Sequence, residues 1–126
     1  MKKIIYSDKA PKPLGAYSQG VVAGGFIFVS GQLAIDPKTG KLVEKEIKKQ
    51  TRQVFKNIEQ ILEAGNSGLQ DIVKVSVFLL NLDDFKEMNE VFQEIFPDNL
   101  PARTTTTVKT FPPGVLIEID AIALKN

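Results

Sequence analysis

Arg103 stands in "LPARTTTTVKTFPPGVLIEID" (residues 100–120), followed by four consecutive threonines and, beyond Pro112-Pro113-Gly114, by Glu118 and Asp120 inside an apolar run. A guanidinium is a planar fork that grips a carboxylate through two parallel hydrogen bonds. In an extended chain side chains alternate, so Thr105 and Thr107 share the face of Arg103 and their hydroxyls could hold the rest of a small polar ligand. A surface arginine among threonines chosen for strand propensity has the same pattern, and residue types alone favour that reading.

Glu118 and Asp120 share their strand face with Leu116, Ile122 and Leu124. A carboxylate on a mostly apolar face must be paired, lie at an interface, or hold its proton more tightly than usual. The last property suits a general acid–base near neutral pH. Asp120 reads better as a residue on a solvated edge, whereas for Glu118 the two readings stand level. Asn89 falls inside an apolar helical stripe, four residues after Phe85 and three before Phe92. Its amide needs partners there, and it either braces the segment carrying Arg103 or touches a ligand. Tyr17, in "LGAYSQG", is a pocket wall or a core ring with its hydroxyl at the surface. Ser30-Gly31 closes the apolar strand "FIFVSG", where glycine permits either close approach of a ligand to backbone or a bulge.

The chemistry open to these groups is narrowed by what the chain lacks. Its 126 residues include no histidine and no cysteine. That excludes Ser-His-Asp and Cys-His catalysis, thiolate nucleophiles, disulfides and cysteine-based zinc sites. No Walker A run, GxGxxG run or EF-hand spacing occurs, so no cofactor and no metal is expected. A net charge of +1 builds in no general attraction to nucleic acid or anionic membrane. Lys45, Lys48, Lys49, Arg52 and Lys56 do form a basic stripe, but without interleaved aromatic residues and diluted by Glu44 and Glu46 it reads as a solvated helix face. The N-terminus has only the short apolar pair Ile4-Ile5 and no segment reaches membrane-spanning length, so a cytoplasmic protein is expected.

The elements that must position these groups follow from periodicity. Two strands flank Gly24-Gly25, a hairpin signal, and a third short strand near Leu42-Val43 follows the turn "DPKTGK". Ile47, Val54, Phe55, Ile58, Ile61 and Leu62 predict a helix from about Ile47 to Ala64, ended by Gly65. "IVKVSVFLL" (72–80) is apolar on both faces and predicts a strand covered on both sides. Asp83 or Asp84 then caps a helix whose stripe is Phe85, Met88, Phe92, Ile95 and Phe96, stopped by Pro97. Two strands, about 104–110 and 115–124, complete a βββ-α-β-α-ββ order. One α+β domain over 1–126 is predicted, a mixed sheet with both helices on one face. The other face needs a partner, and further subunits are the simplest one.

"APKPLGAYSQG", "VSGQLAIDPKTG", "QTRQVFKNIEQILEAG", "DIVKVSVFLLNLDDFKEMNEVF", "PART" and "VLIEIDAIAL" occur in the order found in the reactive intermediate deaminases, the Rid or YjgF-type family, which the chain resembles along essentially its whole length. The pairing of Pro-Ala-Arg with the later Ile-Glu-Ile is the specific part. The resemblance implies a homotrimer of a chorismate-mutase-like fold with clefts between subunits. It also implies hydrolysis of 2-enamine and 2-imine acids, such as 2-aminoacrylate, 2-iminopropanoate and 2-iminobutanoate, to 2-oxo acids and ammonia. In that family Arg103 looks like the group gripping the substrate carboxylate and Glu118 like the acid that positions or activates water. Tyr17, Ser30, Gly31, Asn89 and Thr105 match positions lining the cleft, Thr105 through its main chain. Ala16, Thr106 and Asp120 depart from the usual proline, apolar residue and glutamate, and leave the substrate range open. Two other functions compete with deamination: a non-catalytic module binding a 2-oxo acid as a signal, and an RNA-binding or RNA-cleaving protein resting on the basic stripe.

Overall fold

Eight strands and two α-helices make up the computed structural model, which describes residues 1–126. The strands are β1 (Lys3–Ile5), β2 (Gly20–Ala23), β3 (Phe26–Gln32), β4 (Ile35–Asp36), β5 (Lys41–Leu42), β6 (Ile72–Leu79), β7 (Ala102–Thr107) and β8 (Ile117–Leu124); the helices are α1 (Ile47–Ala64) and α2 (Phe85–Ile95). Six strands form one sheet in the order β1-β2-β3-β8-β6-β7. Only β6 and β7 run parallel, because α2 connects them as a crossover.

The period-2 pattern of the central strands decides which face is dry. Ile27 and Val29 of β3, Ile117, Ile119, Ala121 and Ala123 of β8, and Val75, Val77 and Leu79 of β6 are buried in one core cluster with the apolar stripes of α1 and α2. Phe55 of α1 meets Phe92 of α2 and Phe96 just beyond it edge-on, with ring centroids 5.1 and 5.5 Å apart, and so locks the two helices together. The α1 boundary is chemical. Glu46 caps it by accepting from the backbone N–H groups of Lys48 and Lys49 at 3.1 and 2.9 Å. At the other end Asn66 turns the chain with φ 60°.

The α+β class, the mixed sheet and both helices agree with the sequence reading, and four local expectations are corrected. Ile4-Ile5 belongs to an edge strand, β1. The short strand at Lys41–Leu42 does not extend the main sheet; it pairs with Ile35–Asp36 as a separate ribbon, because the intervening turn folds back with Gly40 donating to the Asp36 carbonyl at 2.8 Å. Neither Asp83 nor Asp84 caps α2 with its side chain. A 3₁₀ turn, Leu82–Asp84, precedes that helix, and Asn81 caps the turn by accepting from the Asp83 N–H at 2.9 Å. Finally, β7 stops at Thr107 and β8 starts at Ile117, so the Pro112-Pro113-Gly114 connection is longer than expected.

Within the chain, only one face of β6 is covered. Lys74, Ser76 and Phe78 point away from the helices, on the face that also carries Phe28 of β3 and Leu124 of β8, 44% and 45% exposed. Exposed apolar side chains among polar ones on an open sheet face are what a partner surface would cover.

Candidate active site

The predicted site residues fall into two groups on opposite faces of the sheet. Residues in register across a ladder point to the same side. Arg103 pairs with Val75 and Thr105 with Val77, both of which face the helices. Glu118 pairs with Phe78, which faces outward. A single chain therefore cannot bring the arginine fork and the glutamate together.

On the helix side, Arg103 emerges from edge strand β7 against α2. Its guanidinium carbon lies 4.8 Å from the ring centre of Phe92 and 5.3 Å from that of Phe85, and Nη1 approaches Met88 Sδ at 3.9 Å. Phe85, Met88 and Phe92 follow i, i+3, i+7 spacing, so one helical stripe makes this shelf. No carboxylate pairs with Arg103; the ion pairs of the chain are Lys48–Glu90, Lys49–Glu44 and Arg52–Glu94. Partial burial pulls the Arg103 pKa down from the usual guanidinium range, and it remains a cation at neutral pH. Asn89, Phe92, Gln93, Leu100, Pro101 and Arg103 line a hollow of about 370 Å³. Asn89 thus sits with Arg103 at a cavity wall, half-buried, rather than in the core.

On the outer side, Glu118 is half-buried against Gly31. Val29 pairs with Ala121 and Gln32 with Ile119, leaving Ser30 and Gly31 together opposite Asp120: a β-bulge. A Cβ on Gly31 would lie 2.9 Å from Glu118 Cδ and closer still to Oε2, so only glycine leaves the carboxylate its place. Burial first, and then the charge of Asp120, push the Glu118 pKa up from the ordinary carboxylate value. Ser30 Oγ donates to the Ser18 carbonyl at 2.6 Å and fixes the bulge to the segment bearing Tyr17. Tyr17 is about half exposed, accepts from the Leu14 N–H at 3.1 Å, and lines a small hollow with Pro11, Leu14 and Gly31.

Sequence reasoning missed the residues that hold these segments. Three buried amides staple the irregular stretches around the outer group. Gln19 accepts from the Ser7 N–H at 2.6 Å and donates to the Ser7 and Pro11 carbonyls. Asn57 donates to the carbonyls of Leu33 and Ile35 at 3.1 and 2.8 Å. Gln50 donates to the Gly114 carbonyl and accepts from the Leu116 N–H, at 2.8 and 2.9 Å, immediately before β8. A signal existed for two of them: Gln50 and Asn57 are amides at buried positions of α1. The shelf under Arg103 was visible only as a core stripe.

The basic stripe of α1 is largely spoken for. Lys48 and Arg52 pair with Glu90 and Glu94 of α2, and Lys49 with Glu44. Little positive potential is left there for a phosphate backbone. No helix is long and apolar enough to cross a membrane.

A family model described as endoribonuclease L-PSP matches residues 7–125. The chain is 52% identical over 126 residues to a RutC family protein of Pyrococcus horikoshii, with all of both chains covered. It is 40% identical over 126 residues to the 2-iminobutanoate/2-iminopropanoate deaminase of Rattus norvegicus, covering 100% of this chain and 92% of that protein. Among solved structures, E. coli TdcF with bound serine superposes with a TM-score of 0.92 at 35% identity, over 98% of this chain and 99% of that one.

Proposed function

From its membership of the reactive intermediate deaminases, the Rid or YjgF-type family, to which the chain belongs, we propose that it hydrolyses 2-enamine and 2-imine acids to 2-oxo acids and ammonia in clefts completed by neighbouring subunits. One observation carries this reading: Arg103 is a half-buried guanidinium laid on an aromatic shelf with no carboxylate of its own. A cation so placed is a receptor for an incoming carboxylate.

The two-sided arrangement then assigns the groups. Arg103 of one subunit grips the substrate carboxylate, and Glu118 of the next faces the reacting carbon, since no single chain supplies both. A head-to-tail contact of this kind closes into a ring, for which the proposed assembly is a homotrimer. The open outer sheet face is the surface such neighbours would cover.

Chemistry without histidine is sufficient here. A proton moves to C3 of the enamine, giving the iminium, whose C2 is already electrophilic and needs no covalent nucleophile. Glu118, its proton affinity raised, takes a proton from the attacking water as the C–O bond forms. Glu118 returns that proton to nitrogen and then takes the proton of the adduct hydroxyl as the C–N bond breaks, so that ammonia leaves and the C=O of the 2-oxo acid forms. Substrate placement supplies the remainder of the acceleration. Tyr17, Ser30 and Gly31 shape the wall beside Glu118, and Asn89 the wall beside Arg103.

The test is coupled turnover. A dehydratase generates 2-aminoacrylate or 2-aminocrotonate, the protein is added, and loss of the enamine absorbance is followed. Wild type should speed the loss, and Arg103→Ala should abolish the effect with assembly intact. Equal rates for the two proteins would overturn the assignment of Arg103. Binding of a 2-oxo acid with no ammonia release would replace the enzyme by a metabolite-binding module.

A further inference from the structure

Leu100 is 61% exposed. A single exposed leucine is ordinary on a protein surface; this one is set apart by its place. It lines the hollow beside Arg103, together with Asn89, Phe92, Gln93 and Pro101. It belongs neither to the core cluster nor to the partly buried side chains packed against that cluster. Pro101 restricts the backbone of Leu100 to extended conformations, so the leucine is held there at little further entropic cost. Phe92, the other large apolar residue of the lining, is only 2% exposed and has its ring under the guanidinium, 4.8 Å away. Leu100 is therefore the one large apolar side chain of this hollow with surface to offer.

The chemistry of the ligand says which of its parts would take that surface. C2 of a 2-imino acid bears a carboxylate, a nitrogen and a side chain. The carboxylate goes to Arg103. The nitrogen is a hydrogen-bonding group and suits the opposite wall, where Asn89 and Gln93 stand one turn apart on α2. An alkyl chain laid on those amides would strip their water and return no hydrogen bond. We infer that Leu100 is the specificity-determining residue for the substrate side chain, and that it favours 2-imino and 2-oxo acids whose chain is extended and apolar. The inference rests on the carboxylate grip assigned to Arg103 and adds what the grip does not require, a dependence of affinity on chain length.

Pyruvate, 2-oxobutanoate and 2-oxopentanoate form a series that lengthens by one methylene at a time, and titration calorimetry gives the Kd of each. Covering a methylene contributes about fourfold in affinity, so wild type should tighten about fifteenfold from first to last. Leu100→Ala should bind pyruvate as wild type does, yet tighten less than about fourfold across the series. Leu100→Met should restore most of the slope, and melting temperature and assembled mass should stay at wild-type values in both variants. A wild type indifferent to chain length would overturn the inference, and so would Leu100→Ala with the wild-type slope. An equal loss for all three acids, a lower melting temperature or a lower mass would also overturn it, since the leucine would then serve the grip, the fold or the assembly. Arg103→Ala in the same titrations separates the two levels. If it binds as wild type, the grip fails and the role of Leu100 with it. If it loses binding while Leu100→Ala keeps the full slope, only the role of Leu100 falls.

Discussion

Two residues carry the proposed chemistry, and the fold treats their charges differently. Arg103 is desolvated on one side by Phe85 and Phe92, which strengthens its attraction for an anion without providing one. Glu118 is desolvated beside Asp120, so its proton is held more tightly than in an ordinary carboxylate. The base form must be present for water activation, so the acidic limb of kcat/KM should lie at a higher pH than an ordinary glutamate would give. Asp120 is the second cause of the shift, acting by like charge. Asp120→Asn should therefore move that acidic limb to lower pH with the site otherwise intact, measured as kcat/KM against pH. A limb that stays in place would show that the titrating group is not Glu118.

At the scale of elements, the bulge in β3 and the shelf on α2 decide where those two residues point. Gly31 has no Cβ because the Glu118 carboxylate occupies that space. In Gly31→Ala the acid must swing aside. The far end of its side chain can do so at little cost in stability, but a displacement of about 1 Å at a reacting group costs about 100-fold in rate. Turnover should drop by that order while the melting temperature barely moves; wild-type turnover would take Glu118 out of the reaction. Much of this level was legible beforehand. The stripe from Ile47 to Leu62 gave α1 its full span, and Ser30-Gly31 announced a bulge or a close approach; the structure has a bulge with a side chain against it. Only half of the ribbon β4–β5 was legible: a short strand was expected after the turn, but two residues at Ile35–Asp36 leave no periodicity to show its partner. The capping bond was misplaced because "NLDD" offers three capping side chains: Asp84 does stand at the N-cap position of α2, but without a side-chain bond, and Asn81 caps the 3₁₀ turn before it. The opposite facing of Arg103 and Glu118 depends on β7 running parallel to β6, a long-range pairing that alternation within one strand does not encode.

For the whole molecule, that opposite facing makes the proposed function a property of pairs of subunits. Arg103→Ala and Glu118→Gln should each be inactive alone. Mixed, unfolded and refolded together, they should regain activity, because a cleft taking Glu118 from the first variant and Arg103 from the second is complete. Random assembly across a head-to-tail interface gives about one such cleft in four, so recovery should approach a quarter of wild-type activity in the coupled assay. No recovery, with mixed assemblies verified by mass, would place both groups within one chain's reach. The distribution of charge over the molecule adds a last consequence. The stretches framing Glu118 are tied by the neutral amides of Gln19, Asn57 and Gln50, while ion pairs are confined to the exposed surfaces around the helices. Ionic strength screens the second kind of tie and leaves the first untouched. Adding sodium chloride should thus compete with an anionic metabolite at the guanidinium, raising KM, while kcat at saturation holds steady.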